Sequence, residues 1–298
     1  MFMKIVIALG GNAILQKGEA GTEKEQKKNI EKSCRYISKL IEKKHKIIIT
    51  HGNGPQVGNI LIQQEQARRE VEPMPLDVCG AMSQGQIGYW IEQFIRNLTK
   101  KEVVTIVTQT LVKKGDLAFK NPTKPVGPYY DEKKSENMAY ELKKGYRRVV
   151  ASPKPIKILE INSIKKLVET GVIVICTGGG GIPVIKNKKI EGIEAVIDKD
   201  RASQVLANEL GVDVLMILTA VSNVYLNFHS PNQKALYKIT INKAEEYLKD
   251  GHFAKGSMGP KIEACITFIK NGGNKAIITS LDKVLDAIAG EAGTIITR

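Results

Sequence analysis

Several features that would assign this sequence to a common class are missing. No apolar run approaches the roughly 20 residues that a membrane-crossing helix needs. The first residues, MFMKIVIALGGN, lead into a turn rather than into a signal-peptide cleavage region. We therefore expect a cytoplasmic protein with no membrane partner.

Cysteine is rare, and its positions argue against two kinds of site. The four cysteines lie far apart and form no CxxC pair: Cys34, Cys79, Cys176 and Cys265. Such spacing suggests neither a disulfide framework nor a zinc site. We predict reduced, mostly buried thiols and assign no metal-binding residue.

Aromatic residues are also scarce, at 5% of the chain, whereas basic residues are abundant. With 45 Lys and Arg against 31 Asp and Glu, the formal charge is +14, which would suit nucleic acid, an anionic membrane or phosphorylated substrates. The basic residues are spread over polar segments such as 24–32 and 186–189, with few aromatic side chains between them to stack on bases. We therefore expect no nucleic-acid partner.

The common phosphate-binding fingerprints do not occur. The sequence has no GxxxxGK[ST] loop and no protein-kinase set of glycine loop, HRD and DFG. The GNGPQVG stretch at 52–58 only approximates a dinucleotide-binding loop, because Pro55 interrupts it. A phosphotransferase with this sequence would need another architecture.

Short β-branched runs alternate with helical patterns along the chain. The predicted strands are Lys4–Leu9, Lys46–Thr50, Val103–Thr108, Val172–Cys176, Val214–Leu218, Ala276–Thr279 and Thr294–Thr297. The predicted helices are Glu23–Lys44, Gly85–Asn97, Ile161–Thr170, Arg201–Leu210, Lys243–Lys249 and Lys261–Lys270. The alternation predicts a mainly parallel sheet covered on both faces. Proline and glycine crowd residues 121–155, which predicts an insertion or lid.

Glycine follows three of the predicted strands. The first strand continues into 10–12 (GGN), the second into 51–54 (HGNG), and a later one reaches the four glycines of 178–181. Ligands of open α/β sheets bind beyond the carboxyl ends of the strands, and backbone N–H groups at glycine turns can hold phosphate oxygens. One such loop could be merely a tight turn, but three at one sheet edge favour a phosphate site.

Two lysine motifs supply positive charge near predicted helix starts. VIDKD places Lys199 between Asp198 and Asp200, and GSMGPK places Lys261 at the start of a helix. Lysines on opposite sides could stabilise a transferring phosphoryl group, with Asp200 positioning both ammonium groups. The alternative for VIDKD alone is a surface salt-bridge cluster at a helix cap.

Candidates for a general base are few. Of the four histidines only His51 follows a strand, and we interpret it as a structural hydrogen-bond anchor. An acceptor that is already an oxyanion, such as a carboxylate or carbamate, needs no proton removed before it attacks phosphorus. The shortage of bases therefore favours an acid as the acceptor.

A series of motifs then occurs in an order that points to one family. They are IALGGNAI (7–14), THGNGPQVG (50–58), AMSQGQIGY (81–89), NPTKPVGPYY (121–130), GYRRVVASPKP (145–155), CTGGGGIPV (176–184), EAVIDKD (194–200), LTAVSNVY (218–225) and GHFAKGSMGPK (251–261). On these residues, over nearly its whole length, the sequence resembles the carbamate kinases of the amino acid kinase family.

The resemblance implies a fold, an assembly and a reaction. The fold is a three-layer α/β/α sandwich with a mainly parallel twisted central sheet and a small protruding lid at about 121–155. It is a single domain over 1–298, with an acceptor lobe at about 1–170 and a nucleotide lobe at about 171–298, and it is used as a homodimer. The reaction converts ATP and carbamate reversibly into ADP and carbamoyl phosphate with Mg²⁺, commonly towards ATP in arginine fermentation.

The resemblance also implies roles for particular residues. Those expected to hold carbamate and the transferring phosphate are Gly10, Gly11, Asn12, Gly52 and Asn53. Lys199 and Lys261 would stabilise the transition state, Asp200 would organise them, and Lys124 on the lid would reach carbamoyl phosphate. The nucleotide would be bordered by Lys199, Thr219, Ala220, Tyr225, Met258, Gly259 and Lys261.

Two departures from the family pattern affect the expectations. The chain is several residues shorter between Tyr130 and Gly145, which bears on lid closure, and Ala220 stands where many members of the wider superfamily carry Asp, which leaves the magnesium ligands unassigned. Two alternatives remain: a kinase for another small acid, such as acetylglutamate or aspartate, and a nucleotide sensor without turnover.

Overall fold

A computed structural model describes residues 2–16, 18–133, 138–141, 145–254 and 256–298. The strands are β1 (Lys4–Leu9), β2 (Lys46–His51), β3 (Val103–Thr105), β4 (Gln109–Val112), β5 (Lys124–Tyr130), β6 (Met138–Glu141), β7 (Gly145–Val150), β8 (Pro155–Ile158), β9 (Ile173–Ile175), β10 (Ile182–Lys186), β11 (Ile190–Gly192), β12 (Val214–Thr219), β13 (Val224–Leu226), β14 (Lys234–Leu236), β15 (Lys238–Thr240), β16 (Lys275–Ser280) and β17 (Thr294–Thr297). The α-helices are α1 (Glu23–Glu42), α2 (Gly54–Ala67), α3 (Leu76–Thr99), α4 (Ile161–Glu169), α5 (Lys199–Leu210), α6 (Ile241–Lys249), α7 (Met258–Lys270) and α8 (Val284–Ala289).

An eight-stranded sheet forms the centre of the molecule, in the order β15-β17-β16-β12-β1-β2-β9-β3. Its pairs are parallel except for β16 with β17. The predicted parallel arrangement is therefore confirmed. Because β1, β2, β9 and β12 run in the same direction, the loops that follow them meet at the same edge of the sheet.

Helices cover both faces of this sheet, so the predicted three layers are confirmed. Alternate residues of β1 enter two separate cores, since successive side chains of a strand point to opposite faces. Val6 and Ala8 pack in the core that α4, α5, α6 and α7 cover, whereas Ile5 and Ile7 pack in the core under α1, α3 and α8. The nearly continuous apolar sequence of β1 follows from this burial on both faces.

Two predicted elements have different bounds in the structure, and one helix of the structure was not predicted. The helix expected over 85–97 begins earlier, at Leu76. Helix α2 is absent from the predicted helices, although its Pro55 is compatible with a helix, because proline in the first turn lacks only an N–H that would have no partner there. The strand expected to reach Thr108 ends at Thr105, and the Thr108 N–H donates instead to Gln84 Oε1 (2.8 Å).

The predicted lid contains an antiparallel sheet of β5, β7 and β6, which we call the lid sheet. Its base is held by apolar contacts, because Val126 and Val150 pack with Val57 and Ile60 of α2. The expected shortening between Tyr130 and Gly145 falls largely on 134–137 and 142–144, which lie outside the described residues.

Two further expectations concern the cysteines and membrane spans. All four cysteines are buried free thiols, as predicted. Among the described residues, no helix combines the length and apolar character needed to cross a bilayer.

Candidate active site

Two adjoining cavities open at the carboxyl edge of the central sheet. The larger, about 640 Å³, is lined by Gly10, Gly11, Asn12, Thr219 and Ala220, among others. The smaller, about 270 Å³, is lined by residues that include Gly52, Asn53, Lys124 and Gly179. Five residues line both cavities: Gly11, Lys199, Gly256, Ser257 and Lys261. Ligands in the two cavities would therefore meet beside Gly11 and the two lysines.

The carboxylate of Asp200 joins the two lysines at this junction. Lys199 Nζ lies 2.7 Å from Asp200 Oδ1, and Lys261 Nζ lies 2.8 Å from Asp200 Oδ2. Lys199 and Asp200 begin helix α5, while Lys261 lies in the first turn of α7. Residues 61 positions apart in sequence are thus brought into one cluster, in which Asp200 is buried and the two lysines are partly buried.

The electrostatics of this cluster favour a bound anion. Burial acts to raise the pKa of Asp200, but the adjacent ammonium groups of Lys199 and Lys261 outweigh it and hold this pKa at about 2. Burial and the like charge of Lys261 lower the pKa of Lys199, against the opposing effect of Asp200. One carboxylate between two ammonium groups leaves positive charge available to a phosphoryl group.

Asp198 is a site residue to which the sequence had given no role. Its Oδ1 caps α5 by accepting the N–H groups of Asp200 (3.0 Å) and Arg201 (3.3 Å). Its Oδ2 lies 3.2 Å from the Nζ of Lys124 on β5. A single carboxylate therefore links the lid sheet to the helix that carries Lys199. Its place at the N-cap of α5 was the sequence signal that could have identified it.

The glycine turn at 178–181 packs tightly against the end of β2. Gly179 has a φ of +64°, and a Cβ added there would lie 2.2 Å from Asn53 Nδ2. Gly10 is restricted in the same way, because an added Cβ would lie 2.7 Å from the Leu218 carbonyl oxygen. At these positions glycine allows the close approach that places Asn53 and Gly11 around the cavities.

His51 has the structural role that the sequence predicted. The ring is buried, its Nδ1 lies 3.0 Å from the Gly52 carbonyl oxygen, and burial lowers its pKa to about 4. Because a carbonyl oxygen only accepts, the neutral ring carries its proton on Nδ1. The other side of the ring is covered by Gly178, where an added Cβ would lie 2.5 Å from Nε2.

We expect stability to decrease as the pH falls from about 6.5 to about 4. In that range the unfolded chain binds a proton at His51 that the folded protein does not. The free energy of unfolding is therefore lower by roughly 3 kcal/mol at pH 4 than at neutral pH. Urea unfolding at a series of pH values from 7.5 to 4 measures how the free energy of unfolding changes with pH, and the His51→Gln variant serves as the comparison. A variant whose pH slope equals that of the native chain would contradict this role.

The predicted nucleotide residues are only partly brought together. Thr219 and Ala220 line the larger cavity beside Lys199 and Lys261. The three remaining residues line neither cavity: Tyr225, Met258 and Gly259. Gly256 and Ser257, which the sequence had not singled out, lie in both cavities immediately before α7.

The described side chains around the two cavities offer few ligands for a magnesium ion. Within the described ranges, no three His, Cys, Asp or Glu side chains group as a metal site. Asp198 and Asp200 are engaged by Lys124, Lys199 and Lys261, and Ala220 supplies no carboxylate. These side chains fit an ion that arrives with nucleotide phosphates as its main ligands, as Mg²⁺ commonly does.

Glycine turns and paired lysines at one edge of an α/β/α sheet define a phosphotransferase. The sequence profile of the amino acid kinase family matches residues 3–280. The chain is 48% identical over 310 residues to the carbamate kinase of Pyrococcus horikoshii and 50% identical over 312 residues to that of Latilactobacillus sakei, covering 99% of both chains in each case. The structure of Giardia lamblia carbamate kinase bound to AMP-PNP matches with a TM-score of 0.95 and 45% identity, over 99% of this chain and 98% of that one.

These likenesses extend over the whole of each protein and include the fold as well as the sequence. The chain therefore belongs to the amino acid kinase family and, within it, to the carbamate kinases.

Proposed function

We propose that the chain transfers a phosphoryl group reversibly between ATP and carbamate, giving ADP and carbamoyl phosphate. The observation that carries the proposal is the Asp200 carboxylate, which holds Lys199 and Lys261 at 2.7 and 2.8 Å where the two cavities meet. A phosphoryl group in transfer spreads negative charge over its oxygens. Two fixed ammonium groups at the junction stabilise that charge without reorganising.

The smaller cavity is the acceptor site in this proposal. Its volume of about 270 Å³ accommodates a small acid such as carbamate. Gly52 and Asn53 line it, while Gly10, Gly11 and Asn12 approach from the larger cavity. Carbamate is already an oxyanion, so the neutral, buried His51 is not required as a base.

The larger cavity is the nucleotide site. It is lined by Thr219 and Ala220 and reaches Lys199 and Lys261. The relative from Giardia lamblia binds AMP-PNP, an ATP analogue, in its solved structure. Tyr225, Met258 and Gly259 lie outside the lining of this cavity and would border the part of the nucleotide that extends beyond it. Mg²⁺ would neutralise the phosphate charge when it is bound.

Lys124, on the lid sheet, would contact the substrate in the acceptor cavity. Lys124 lines the acceptor cavity, and one of its three N–H groups is directed to Asp198. No other hydrogen bond of Lys124 Nζ occurs among the described residues, so its remaining N–H groups would donate to carbamoyl phosphate. The lid would thereby hold the substrate in place and restrict water.

ATP formation from ADP, Mg²⁺ and carbamoyl phosphate tests the proposal. We expect turnover by the native chain and none by a Lys199→Ala, Lys261→Ala double variant. A folded protein that binds nucleotide but forms no ATP would refute it. Assays with ATP and acetylglutamate or aspartate would then identify a kinase for another acid, and inactivity with all of them would indicate a sensor.

We also propose a homodimer formed through the exposed face of α3. Val78, Met82 and Tyr89 are 37%, 45% and 56% exposed and form one stripe, because they are spaced by four and seven residues along the helix. Gly85 lies between them, and an added Cβ there would meet nothing within 4 Å. Small residues within an apolar stripe allow two helices to pack closely, which suits a second copy of this chain.

A Met82→Glu, Tyr89→Glu double variant is expected to be monomeric. Burying two carboxylates in an apolar interface should weaken association by about 100-fold or more. Sedimentation should give twice 32.8 kDa for the native chain and 32.8 kDa for the variant. Tyr237→Glu alters an exposed aromatic residue beside β15, at the opposite edge of the sheet, and should remain dimeric. A dimeric double variant would show that the interface lies elsewhere.

The resemblance to carbamate kinases extends the proposal to the division of the chain and to its cellular role. It assigns an acceptor lobe at about 1–170 and a nucleotide lobe at about 171–298. It also assigns net ATP formation in arginine breakdown and a cytoplasmic location. These assignments remain predictions.

A further inference from the structure

Asn53 occupies a position at which asparagine normally caps a helix, but it makes a different contact. It directly precedes α2, where an asparagine side chain usually accepts a backbone N–H from the first turn. Asn53 makes no such hydrogen bond. Instead, its Nδ2 lies 2.8 Å from Ser83 Oγ, on the neighbouring helix α3. The side chain therefore forgoes a local stabilising contact to hold its amide in another place.

The contact with Ser83 fixes which end of the amide faces which way. Ser83 is fully buried, and its hydroxyl lies 2.6 Å from the Gly80 carbonyl oxygen, which can only accept. The single hydroxyl proton is therefore used, and Ser83 Oγ can only accept from Asn53. An amide oxygen facing Ser83 would leave two acceptors in contact, so Asn53 must present its NH₂ group there.

The orientation leaves the amide oxygen of Asn53 available to a ligand. Asn53 is half-buried and lines the acceptor cavity. No residue in the part of the chain that the structure describes donates a hydrogen bond to its Oδ1. Gly179 packs against the amide, since a Cβ added there would lie 2.2 Å from Asn53 Nδ2, and this contact restricts rotation. The cavity thus contains a fixed acceptor together with the ammonium groups of Lys124, Lys199 and Lys261, which line it as well.

We propose that Ser83 is a specificity-determining positioning residue: it orients Asn53 so that the amide oxygen accepts a hydrogen bond from the amino group of carbamate or carbamoyl phosphate. The proposal rests on the carbamate kinase activity proposed above and identifies how that site selects its acceptor. Acetyl phosphate carries a methyl group in place of the amino group and is otherwise nearly the same shape. A site that hydrogen-bonds an N–H disfavours an analogue without one, because its own polar group stays unpaired.

The test compares carbamoyl phosphate with acetyl phosphate as phosphoryl donors to ADP. In Ser83→Ala the amide loses its partner and can turn, so kcat/KM for carbamoyl phosphate should fall about tenfold. The value for acetyl phosphate should change by less than about twofold, because its methyl group makes no hydrogen bond. Where turnover of acetyl phosphate is slow, its inhibition constant against carbamoyl phosphate replaces kcat/KM.

A second variant and a matched control separate this role from a general loss of structure. In an Asn53→Ala background, Ser83→Ala should have no further effect on the preference, because Ser83 acts through Asn53. Ser38→Ala removes a comparable hydroxyl: Ser38 is buried in α1 and donates to the Arg35 carbonyl three residues earlier, as Ser83 does to Gly80. Ser38→Ala should leave the preference unchanged.

Several outcomes would overturn the inference. Equal losses with both phosphates would indicate a structural role, and an undiminished preference would remove Ser83 from specificity. An effect that persists without Asn53 would show that Ser83 acts by another route. If Ser83→Ala does not fold, Ser83→Cys, which keeps a weak acceptor, takes its place and should show a smaller loss of preference. The absence of ATP formation from carbamoyl phosphate by the native chain would instead refute the proposed function.

Discussion

Replacing Lys261 with alanine is expected to lower kcat for ATP formation about a thousandfold while the protein remains folded. Lys261 is one of two ammonium groups at the junction of the cavities, and its Nζ is fixed 2.8 Å from Asp200. A fixed charge of this kind acts on the transferring phosphoryl group, whose negative charge is most dispersed in the transition state. The loss should therefore appear in kcat more than in KM.

The fold should tolerate the change because Asp200 keeps a partner. Lys199 stays 2.7 Å from its other oxygen, so the buried carboxylate is not left uncompensated. The like charge of Lys261, which contributes to lowering the pKa of Lys199, is removed at the same time. The substitution therefore favours the protonated form of Lys199, and the loss of rate would reflect the one missing charge of Lys261.

Glu263→Ala is a matched control on the same helix. Glu263 pairs with Arg201 at 2.8 Å, so its removal breaks another ion pair between α7 and α5, but neither residue lines the cavities. We expect kcat within about twofold of the native value, as for most exposed ion pairs. Comparable losses in Glu263→Ala and Lys261→Ala would mean that helix contacts, rather than the Lys261 charge, control the rate.

The general plan of the fold was accessible from the sequence. The β-branched runs predicted seven of the eight strands of the central sheet, because strands buried on both faces are apolar throughout, as β1 and β12 are; the short edge strand β15 was missed. The ends of elements were harder to predict. Thr108 is the last residue of one such run, yet β3 ends at Thr105 and the Thr108 N–H donates to the side chain of Gln84, 24 residues earlier in the sequence.

The charged residues of the site were also predictable from the sequence, whereas the hydrogen bonds that orient its side chains were not. Lys199 and Lys261 each precede or begin a helix, so helix starts and strand order brought them to one sheet edge. Nothing local in the sequence links Asn53 with Ser83 or Lys124 with Asp198. These hydrogen bonds depend on how α2, α3 and the lid sheet pack, and pairings over 30 and 74 residues leave no periodic signal.

Gly179→Ala is expected to lower kcat/KM for carbamoyl phosphate about a hundredfold. The new Cβ would lie 2.2 Å from Asn53 Nδ2, and the amide cannot yield cheaply because Ser83 holds it. Asn53 must therefore move within the acceptor cavity, where displacement of a positioning group by about 1 Å can cost that much. The positive φ of Gly179 adds a separate cost of about 1–2 kcal/mol in stability.

Gly171→Ala isolates the backbone cost from the clash. Gly171 has a φ of +89°, but an added Cβ there would meet nothing within 4 Å, and it lies between α4 and β9, at the edge of the sheet away from the cavities. In urea titrations both variants should lose about 1–2 kcal/mol of unfolding free energy because of the left-handed backbone. Only Gly179→Ala should lose activity when both are assayed at a temperature where they are folded. If the two variants retained equal activity, the acceptor site would not depend on the contact between Gly179 and Asn53.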